Sequence, residues 1–289
     1  MKPAQLLIVI IVSAIIAVAA VKLMPQAHVA ASASEQPAFD RVTSTRTLHC
    51  GYFIWAPYLM LDPNTKKMTG FAYEIFEQVG KVLGVKVEWT EEVPMSQLAD
   101  NLKTGRNDVI CNTVWPSGNR AASLDFAQPI DYIGAYAFVR ADDSRFDGDL
   151  SKLNDPNVTA SVIEGDYTKA IADEDFPNAK QYSLAMDSDG AQLLLAVTTK
   201  KADVAFVDPF LAFDFAKNNP GTIKRVPGVT AARVFGDSYV VAKGETRLRD
   251  MLNVALQQLN QSGFIRQTLD KYLGEHKGLY FYPAKPYEQ

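Results

Sequence analysis

Apolar positions in the first half of the chain alternate between short continuous runs and helical spacing. The runs at residues 48–54, 85–90 and 108–112 have the length of buried strands. Between them, apolar residues recur at helical spacing over residues 71–83 and 95–102, and Gly84 and Gly105 follow as helix ends. This order of strands and helices predicts a parallel sheet with right-handed crossovers.

A second unit with the same alternation follows at different lengths. It has strands at residues 158–163 and 203–207 and, between them, a helix that Ser188 could cap. Residues 132–139 and 239–243 are extended and apolar, and they would join the two units. Helical spacing returns over residues 248–259, ends at Gly263, and resumes over residues 264–273. The aromatic and proline-rich tail, residues 277–289, is expected to pack on the first unit or to be partly mobile.

The N-terminal segment does not belong to this pattern. Residues 6–21 carry no charge, follow Lys2, and have the length of a signal-peptide core while being marginal for a membrane span. We expect residues 1–21 to be a signal peptide or an inner-membrane anchor, with both alternatives open, and residues 22–43 to be a flexible linker. No cysteine stands close behind the run, which argues against a lipoprotein anchor. Either alternative places the rest of the chain in the periplasm.

Composition narrows the function classes. The net charge of −4 and the absence of a long basic run argue against nucleic-acid binding. Cys50 and Cys111 suggest a disulfide in an exported protein, although both lie in apolar segments where buried thiols are an equal alternative. Two cysteines are too few for the ligand set of a metal site, so neither a metal nor a cofactor is expected.

The loops after the predicted strands hold the candidate binding residues, because ligands of such sheets lie beyond the carboxyl ends of the strands. Trp55 follows the first strand and could cover a ligand face, whereas Tyr58 is expected to pack in the core. After the third strand, Thr113 and Trp115 could offer backbone N–H groups, and Arg120 could bind a carboxylate through two parallel hydrogen bonds. The alternative for Arg120 is a surface salt bridge.

Asp208 directly follows the last strand of the second unit and precedes Pro209. It could accept hydrogen bonds from an ammonium group or cap the next helix, and the two roles can coexist because a carboxylate has two oxygens. An arginine from one lobe and an aspartate from the other would bind the two ends of a zwitterion. This pairing favours an α-amino acid over a sugar or a simple anion.

The chain resembles the amino-acid-binding family of bacterial periplasmic solute-binding proteins, family 3, from about Thr47 to Leu273. The resemblance rests on the order of Ala56-Pro57-Tyr58, Thr69-Gly70-Phe71, the segment LKTGRNDVI at residues 102–110, Arg120, and ADVAFVD at residues 202–208. It implies an α/β fold of two lobes, each a mixed, mostly parallel sheet flanked by helices, with a two-strand hinge. The lobes would be residues 44–134 with 238–289, and residues 135–237.

The resemblance also implies roles for individual residues. Arg120 stands at the ligand-carboxylate position and Asp208 at the ligand-ammonium position, with Thr113 and Trp115 binding the carboxylate. Trp55 stands where an aromatic ring stacks on the ligand, and Met95 lies near a pocket wall. Asp166 and Tyr167 depart from the small hydroxyl residues usual in the second lobe. They could bind the ligand, and a basic ligand side chain would reconcile an acid at that place.

These observations predict a monomeric, non-catalytic protein that captures an amino acid or similar small zwitterion for a membrane permease or a receptor. One alternative is an enzyme of the cyclohexadienyl dehydratase type, with Glu164 or Asp166 as the general acid. The other is a sensor input module held by an uncleaved anchor. The identity of the ligand stays open.

Overall fold

The computed structural model describes residues 36–284, and the proposed signal segment lies outside them. The first element within the described residues is helix α1 (Ala38–Thr45), where a linker was expected up to residue 43. The helix forms because Ala38 and Val42 are buried in the core, which gives this small-residue segment an apolar face. Glu245 accepts a hydrogen bond from the Ala38 N–H at 2.8 Å and helps to anchor its start.

The first lobe is built on one mixed sheet. Its strands are β1 (Thr47–Tyr52), β4 (Lys86–Glu92), β5 (Val109–Val114) and β6 (Leu124–Phe126), joined by the C-terminal half of β12 (Arg233–Ala242). β1 pairs in parallel with β4 and β5, whereas β12 is antiparallel to β5 and β6. A small hairpin, β2 (Met60–Leu61) with β3 (Met68–Thr69), precedes the first crossover helix.

Helices cover the first-lobe sheet because their apolar faces match the spacing seen in the sequence. They are α2 (Phe71–Leu83), α3 (Leu98–Lys103), α8 (Thr246–Gln261) and α9 (Phe264–Leu273). The short helix α4 (Gly118–Ala121) also belongs to this lobe but buries none of its residues. Gly84 ends α2 in the left-handed conformation, at φ 63°, as expected of a C-terminal glycine. Separate apolar clusters pack on the two faces of the sheet.

The second lobe repeats this design. Strands β7 (Asp131–Arg140), β8 (Thr159–Ile163), β9 (Lys180–Leu184), β10 (Val204–Val207) and β11 (Ile223–Arg225) form its sheet. β8 is parallel to β9 and β10, and β7 is antiparallel to β10 and β11. Its helices are α5 (Tyr167–Asp175), α6 (Ala191–Thr198) and α7 (Pro209–Asn218). α6 begins after Gly190 rather than after Ser188, because Asp189 and not Ser188 accepts the Ala191 N–H.

Two long strands carry the chain between the lobes. The N-terminal part of β7 pairs antiparallel with the N-terminal part of β12, and Asp131 lies opposite Asp237. The tail adds a short strand, β13 (Tyr280–Phe281), to the other edge of β7. Tyr280 is buried in the first-lobe core, so the tail contacts that lobe as expected and also forms a third strand of the hinge.

Cys50 and Cys111 form a disulfide. They lie on the adjacent parallel strands β1 and β5, which explains why residues 61 positions apart meet. This resolves the alternative between a disulfide and buried thiols. Between residues 36 and 284, no helix is both long enough and apolar enough to cross a membrane.

Candidate ligand-binding cleft

A cavity lies between the lobes and against the hinge strands, with an empty volume of about 920 Å³ that includes the space open to solvent at its mouth. All eight residues predicted from the sequence line it: Trp55, Met95, Thr113, Trp115, Arg120, Asp166, Tyr167 and Asp208. They come from both lobes, at the carboxyl ends of strands and the starts of helices. The fold therefore brings together residues that are far apart in the sequence: Trp55 and Asp208 are separated by 153 positions.

Arg120 is held at the start of the short helix α4. The Ser117 side chain caps this helix by accepting the Arg120 backbone N–H at 3.3 Å. The guanidinium carbon lies 4.2 Å from the centre of the Trp115 ring, and Nη1 donates to the Trp115 carbonyl at 3.2 Å. Nη2 donates to the carbonyl of Gly165 in the second lobe at 3.3 Å. Arg120 is thus a cleft residue with no salt bridge within 4 Å among the described residues, and not the surface ion pair that was the alternative.

Burial also affects the charge of this arginine. It lowers the pKa of Arg120, while the nearby carboxylates of Asp166 and Asp237 oppose the shift. Arginine nevertheless stays protonated in proteins. The guanidinium is therefore a permanent positive charge, stacked on an indole and available to an anionic group in the cleft.

Thr113 faces the cavity, but its backbone N–H is engaged. It donates to the side-chain oxygen of Asn112 at 2.7 Å, and Asn112 in turn donates to the Phe53 carbonyl at 2.8 Å. The backbone donor expected from the sequence is therefore occupied here. The Thr113 hydroxyl is the group that this residue can offer to a ligand.

Asp208 caps a helix, which is one of its two anticipated roles, and it also lines the cavity, where the other role would place it. Its Oδ1 accepts the Leu211 N–H at 2.9 Å and caps α7, where Pro209 occupies the first turn. Its Oδ2 is buried and has no hydrogen-bond partner among the described residues, although the side chain lines the cavity. Burial is the main cause that raises the pKa of Asp208 to about 6. A buried carboxylate oxygen without a donor is costly, and an ammonium group in the cleft would satisfy it.

Asp166 and Tyr167 mark the second-lobe wall at the start of α5. Asp166 caps the helix by accepting the Thr168 N–H at 3.1 Å, and burial raises its pKa despite the nearby Arg120. Tyr167 packs against Trp115 and Phe235, with ring centroids 5.9 Å and 5.4 Å apart. Trp115 Nε1 lies near Asp166 but is a second buried polar atom of the cavity wall with no hydrogen-bond partner within residues 36–284.

Trp55 and Met95 complete the first-lobe wall. Trp55 lies against Gly190 of the second lobe, where an added Cβ would sit 3.0 Å from the indole Cη2. Met95 lies in a single 3₁₀ turn before α3. Next to it, Ser96 donates from its N–H and hydroxyl to the two oxygens of Asp187 at 3.0 Å and 2.6 Å. The lobes therefore contact each other at the rim as well as across the cavity.

The structure adds cavity residues that the pattern did not predict, above all Asp237. This residue lies on hinge strand β12 with 8 % of its surface exposed. Tyr58, expected in the core, is indeed buried, but its hydroxyl contacts both Asp237 and Asp131. A signal was present: an aspartate interrupts the apolar hinge segments at residues 130–133 and 234–241. Burial of such a charge requires compensation, which often marks a functional site.

No cluster of three or more metal-ligating side chains occurs in the part of the chain that the structure describes. The cleft instead combines one arginine with several carboxylates between aromatic walls. Such a lining suits a small, charged organic molecule held by directed polar contacts.

Curated relatives of similar length match most of the chain. A probable amino-acid ABC transporter-binding protein of Haemophilus influenzae is 27 % identical over 243 residues, which cover 81 % of this chain and 88 % of that protein. The L-cystine-binding protein TcyA of Bacillus subtilis is 22 % identical over 221 residues, covering 76 % and 78 % of the two chains.

Solved structures show the same fold. The ancestral amino-acid-binding protein AncCDT-1, described as a precursor of cyclohexadienyl dehydratase, superposes with a TM-score of 0.68 at 24 % identity, covering 82 % of this chain and 99 % of that one. A histidine kinase sensor domain with similarity to periplasmic binding proteins superposes with a TM-score of 0.67 at 21 % identity, covering 82 % and 98 %.

A protein-family sequence model matches nearly all of both lobes. Residues 49–275 match the sequence model of the bacterial extracellular solute-binding proteins, family 3. This range contains both hinge strands, the cavity and each of the eight predicted binding residues. The fold and function class expected from the residue patterns are thereby confirmed, and the chain belongs to the bacterial extracellular solute-binding proteins of family 3.

Proposed function

We propose that this solute-binding protein captures an α-amino acid between its lobes, with Arg120 binding the carboxylate and Asp208 the ammonium group. The observation that carries the proposal is the unpaired, buried Asp208 Oδ2 in the cavity that Arg120 also lines. Arginine matches a carboxylate geometrically, and a carboxylate oxygen accepts from an ammonium group. The amino-acid-binding names of the relatives agree with this ligand class.

Closure follows from the placement of these groups. A ligand held by Arg120 of the first lobe and Asp208 of the second is fully bound only when the lobes meet, so binding shifts the protein towards the closed form. In this proposal a membrane permease recognises the closed form and accepts the amino acid. A sensory receptor that recognises the same form is the alternative. Loss of amino-acid uptake on deletion of the gene supports the permease, and intact uptake contradicts it.

We further propose that the cleft binds without catalysis. Glu164 is exposed to solvent, and Asp166 is committed to capping α5. A general acid must reach the leaving group with a proton to donate, and neither the solvent exposure of Glu164 nor the capping hydrogen bond of Asp166 favours that role. Incubation of the purified protein with prephenate or arogenate tests this point, because aromatic product would contradict it.

The decisive test is calorimetric titration with the amino acid that most raises the melting temperature in a screen of the twenty protein amino acids. Arg120→Ala should weaken binding by about a hundredfold or more, since a buried charge on the ligand loses its partner. Asp208→Asn should act similarly. Arg249→Ala and Asp250→Asn, which alter an exposed pair on α8, are matched controls and should leave affinity unchanged. Full affinity in Arg120→Ala would exclude this residue as the carboxylate site.

A further inference from the structure

A second group of buried acids lies at the hinge, beside the proposed zwitterion site. Asp131 on β7 and Asp237 on β12 are directly opposed in the antiparallel register. The Tyr58 hydroxyl lies 2.8 Å from Oδ2 of each carboxyl group. We call Asp131, Tyr58 and Asp237 the hinge triad. Neither the carboxylate site nor the ammonium site uses these residues.

The hinge triad must hold one proton beyond that of the tyrosine. A hydroxyl carries a single hydrogen and can donate to only one of the two carboxyl groups. The other contact, at an equally short 2.8 Å, then requires that the second carboxyl group be protonated and donate to the tyrosine oxygen. Two buried carboxylates this close also resist simultaneous ionisation. The triad therefore carries one negative charge.

Burial decides which carboxyl group holds that charge. Asp131 is fully buried and does not line the cavity, whereas Asp237 does. Burial raises the pKa of both carboxyl groups, of Asp237 to about 7 and of Asp131 further, and the nearby Arg120 favours the ionised form of Asp237. The hydrogen bonds accordingly run from protonated Asp131 to Tyr58 and from Tyr58 to Asp237. The negative charge then faces the ligand.

The cavity thus has more negative than positive charge. Its lining includes Arg120 as the only cation among the described residues, against Glu164, Asp166, Asp208 and Asp237. A neutral zwitterion would use Arg120 and Asp208 and leave the remaining acids without a counter-charge. Aromatic walls formed by Trp55, Trp115 and Phe235 suit a methylene chain and stack on a cation.

Resting on the proposed function, we propose that the amino acid carries a second positive group on its side chain and that Asp237, oriented by Tyr58 and Asp131, is the specificity-determining acceptor for it. The ligand class is then a basic amino acid. Asp208 distinguishes amino acids from other solutes, whereas Asp237 distinguishes cationic from neutral side chains.

Calorimetric titration at pH 8 with L-arginine and L-citrulline tests the proposal, because the two ligands differ by a guanidinium against a neutral urea group of nearly equal shape. The wild-type protein should bind arginine about ten- to a hundredfold more tightly, as expected for a hydrogen bond between charged groups. Asp237→Asn should reduce this ratio to about one while citrulline binding persists, which also shows that the variant is folded.

Asp131→Asn locates the charge, because its amide can donate to the Tyr58 oxygen as protonated Asp131 does. We expect it to retain the preference for arginine, and Asp250→Asn on the exposed face of α8 serves as the surface control. Equal weakening of both ligands in Asp237→Asn, or loss of the preference in Asp131→Asn instead, would overturn the role of Asp237.

Two further results separate this inference from the proposed function. If the wild-type protein binds citrulline at least as tightly as arginine, the cationic ligand class is wrong while amino-acid binding stands. If it binds neither of them nor any protein amino acid, the proposed function fails and the inference fails with it.

Discussion

The two carboxylate oxygens of Asp208 have different surroundings, and the proposed function gives each a different role. Oδ1 caps α7, while Oδ2 faces the cavity without a donor among the described residues. The side-chain oxygen of asparagine can keep the cap, because asparagine and aspartate are comparable at this position. In the proposed function, by contrast, only the ligand needs the negative charge.

This separation predicts an effect of pH on stability. Burial raises the pKa of Asp208 to about 6, so the folded state disfavours the ionised form. The free energy of unfolding contributed by this group therefore falls as pH rises from about 4 to 6 and stays low above that range. At pH 8, ligand-free Asp208→Asn should be more stable than the wild-type protein, by an amount on the order of 2 kcal/mol. The difference should disappear near pH 4.

Urea unfolding of both proteins at pH 4 and pH 8 measures this difference. Asp250→Asn, at an exposed site, should show no such gain at either pH. A loss of stability in Asp208→Asn at pH 8 would mean that the cap depends on the charge rather than on the oxygen.

At the scale of secondary-structure elements, the start of α6 must approach the first lobe closely. A Cβ on Gly190 would lie 3.0 Å from Trp55 Cη2 and 2.9 Å from Leu211 Cδ2. Gly190 has helical backbone angles, φ −57° and ψ −29°, which alanine adopts readily. Only the two neighbouring side chains therefore oppose a methyl group at this position. Glycine here allows the second-lobe helix to meet the aromatic wall.

Gly190→Ala should therefore weaken ligand binding by roughly tenfold, because overpacking at a contact costs about 1–3 kcal/mol and this contact forms between the lobes. Gly278→Ala is the matched control, since nothing lies within 4 Å of a Cβ at that position. Calorimetric titration of both variants measures the effect, and unchanged affinity in Gly190→Ala would show that the lobes close without this contact.

At the scale of the whole molecule, a polar contact at the rim joins the lobes away from the cavity lining. Ser96 at the start of the 3₁₀ turn donates twice to Asp187, which follows β9 in the second lobe. Neither residue lines the cavity, and both are exposed. Hydrogen bonds that exist only between closed lobes stabilise the closed form without touching the ligand.

Asp187→Ala should consequently speed ligand release about two- to fivefold, as expected for an exposed contact worth up to about 1 kcal/mol. The melting temperature without ligand should barely change. Stopped-flow dissociation measures the rate, with Asp214→Ala on the exposed surface of α7 as the control. Equal rates in the wild-type and Asp187→Ala proteins would contradict a role for this contact in closure.

The secondary-structure elements predicted from the sequence agree best with the structure where the element is buried. Helices α2 and α8 and strands β1, β5 and β10 were predicted close to their observed bounds, because each buries an apolar face and so carries a clear period. Strand β9 was missed because it is only partly buried and mostly polar. Helix α1 was missed because the composition of its segment resembles a linker. Its two buried residues are covered by parts of the chain that are distant in the sequence.

The sequence alone determined the two α/β units and their connection through extended segments, because hydrophobic periodicity is a local property of the chain. The loops after the predicted strands indicated five of the cavity residues, and the family resemblance added Met95, Asp166 and Tyr167. Only the tertiary structure decided that Cys50 meets Cys111, that the Thr113 N–H is engaged, and that the Tyr58 hydroxyl lies 2.8 Å from both Asp131 and Asp237. These features depend on register and burial between segments far apart in the chain, and electrostatic effects of this kind arise only when folding removes the groups from water.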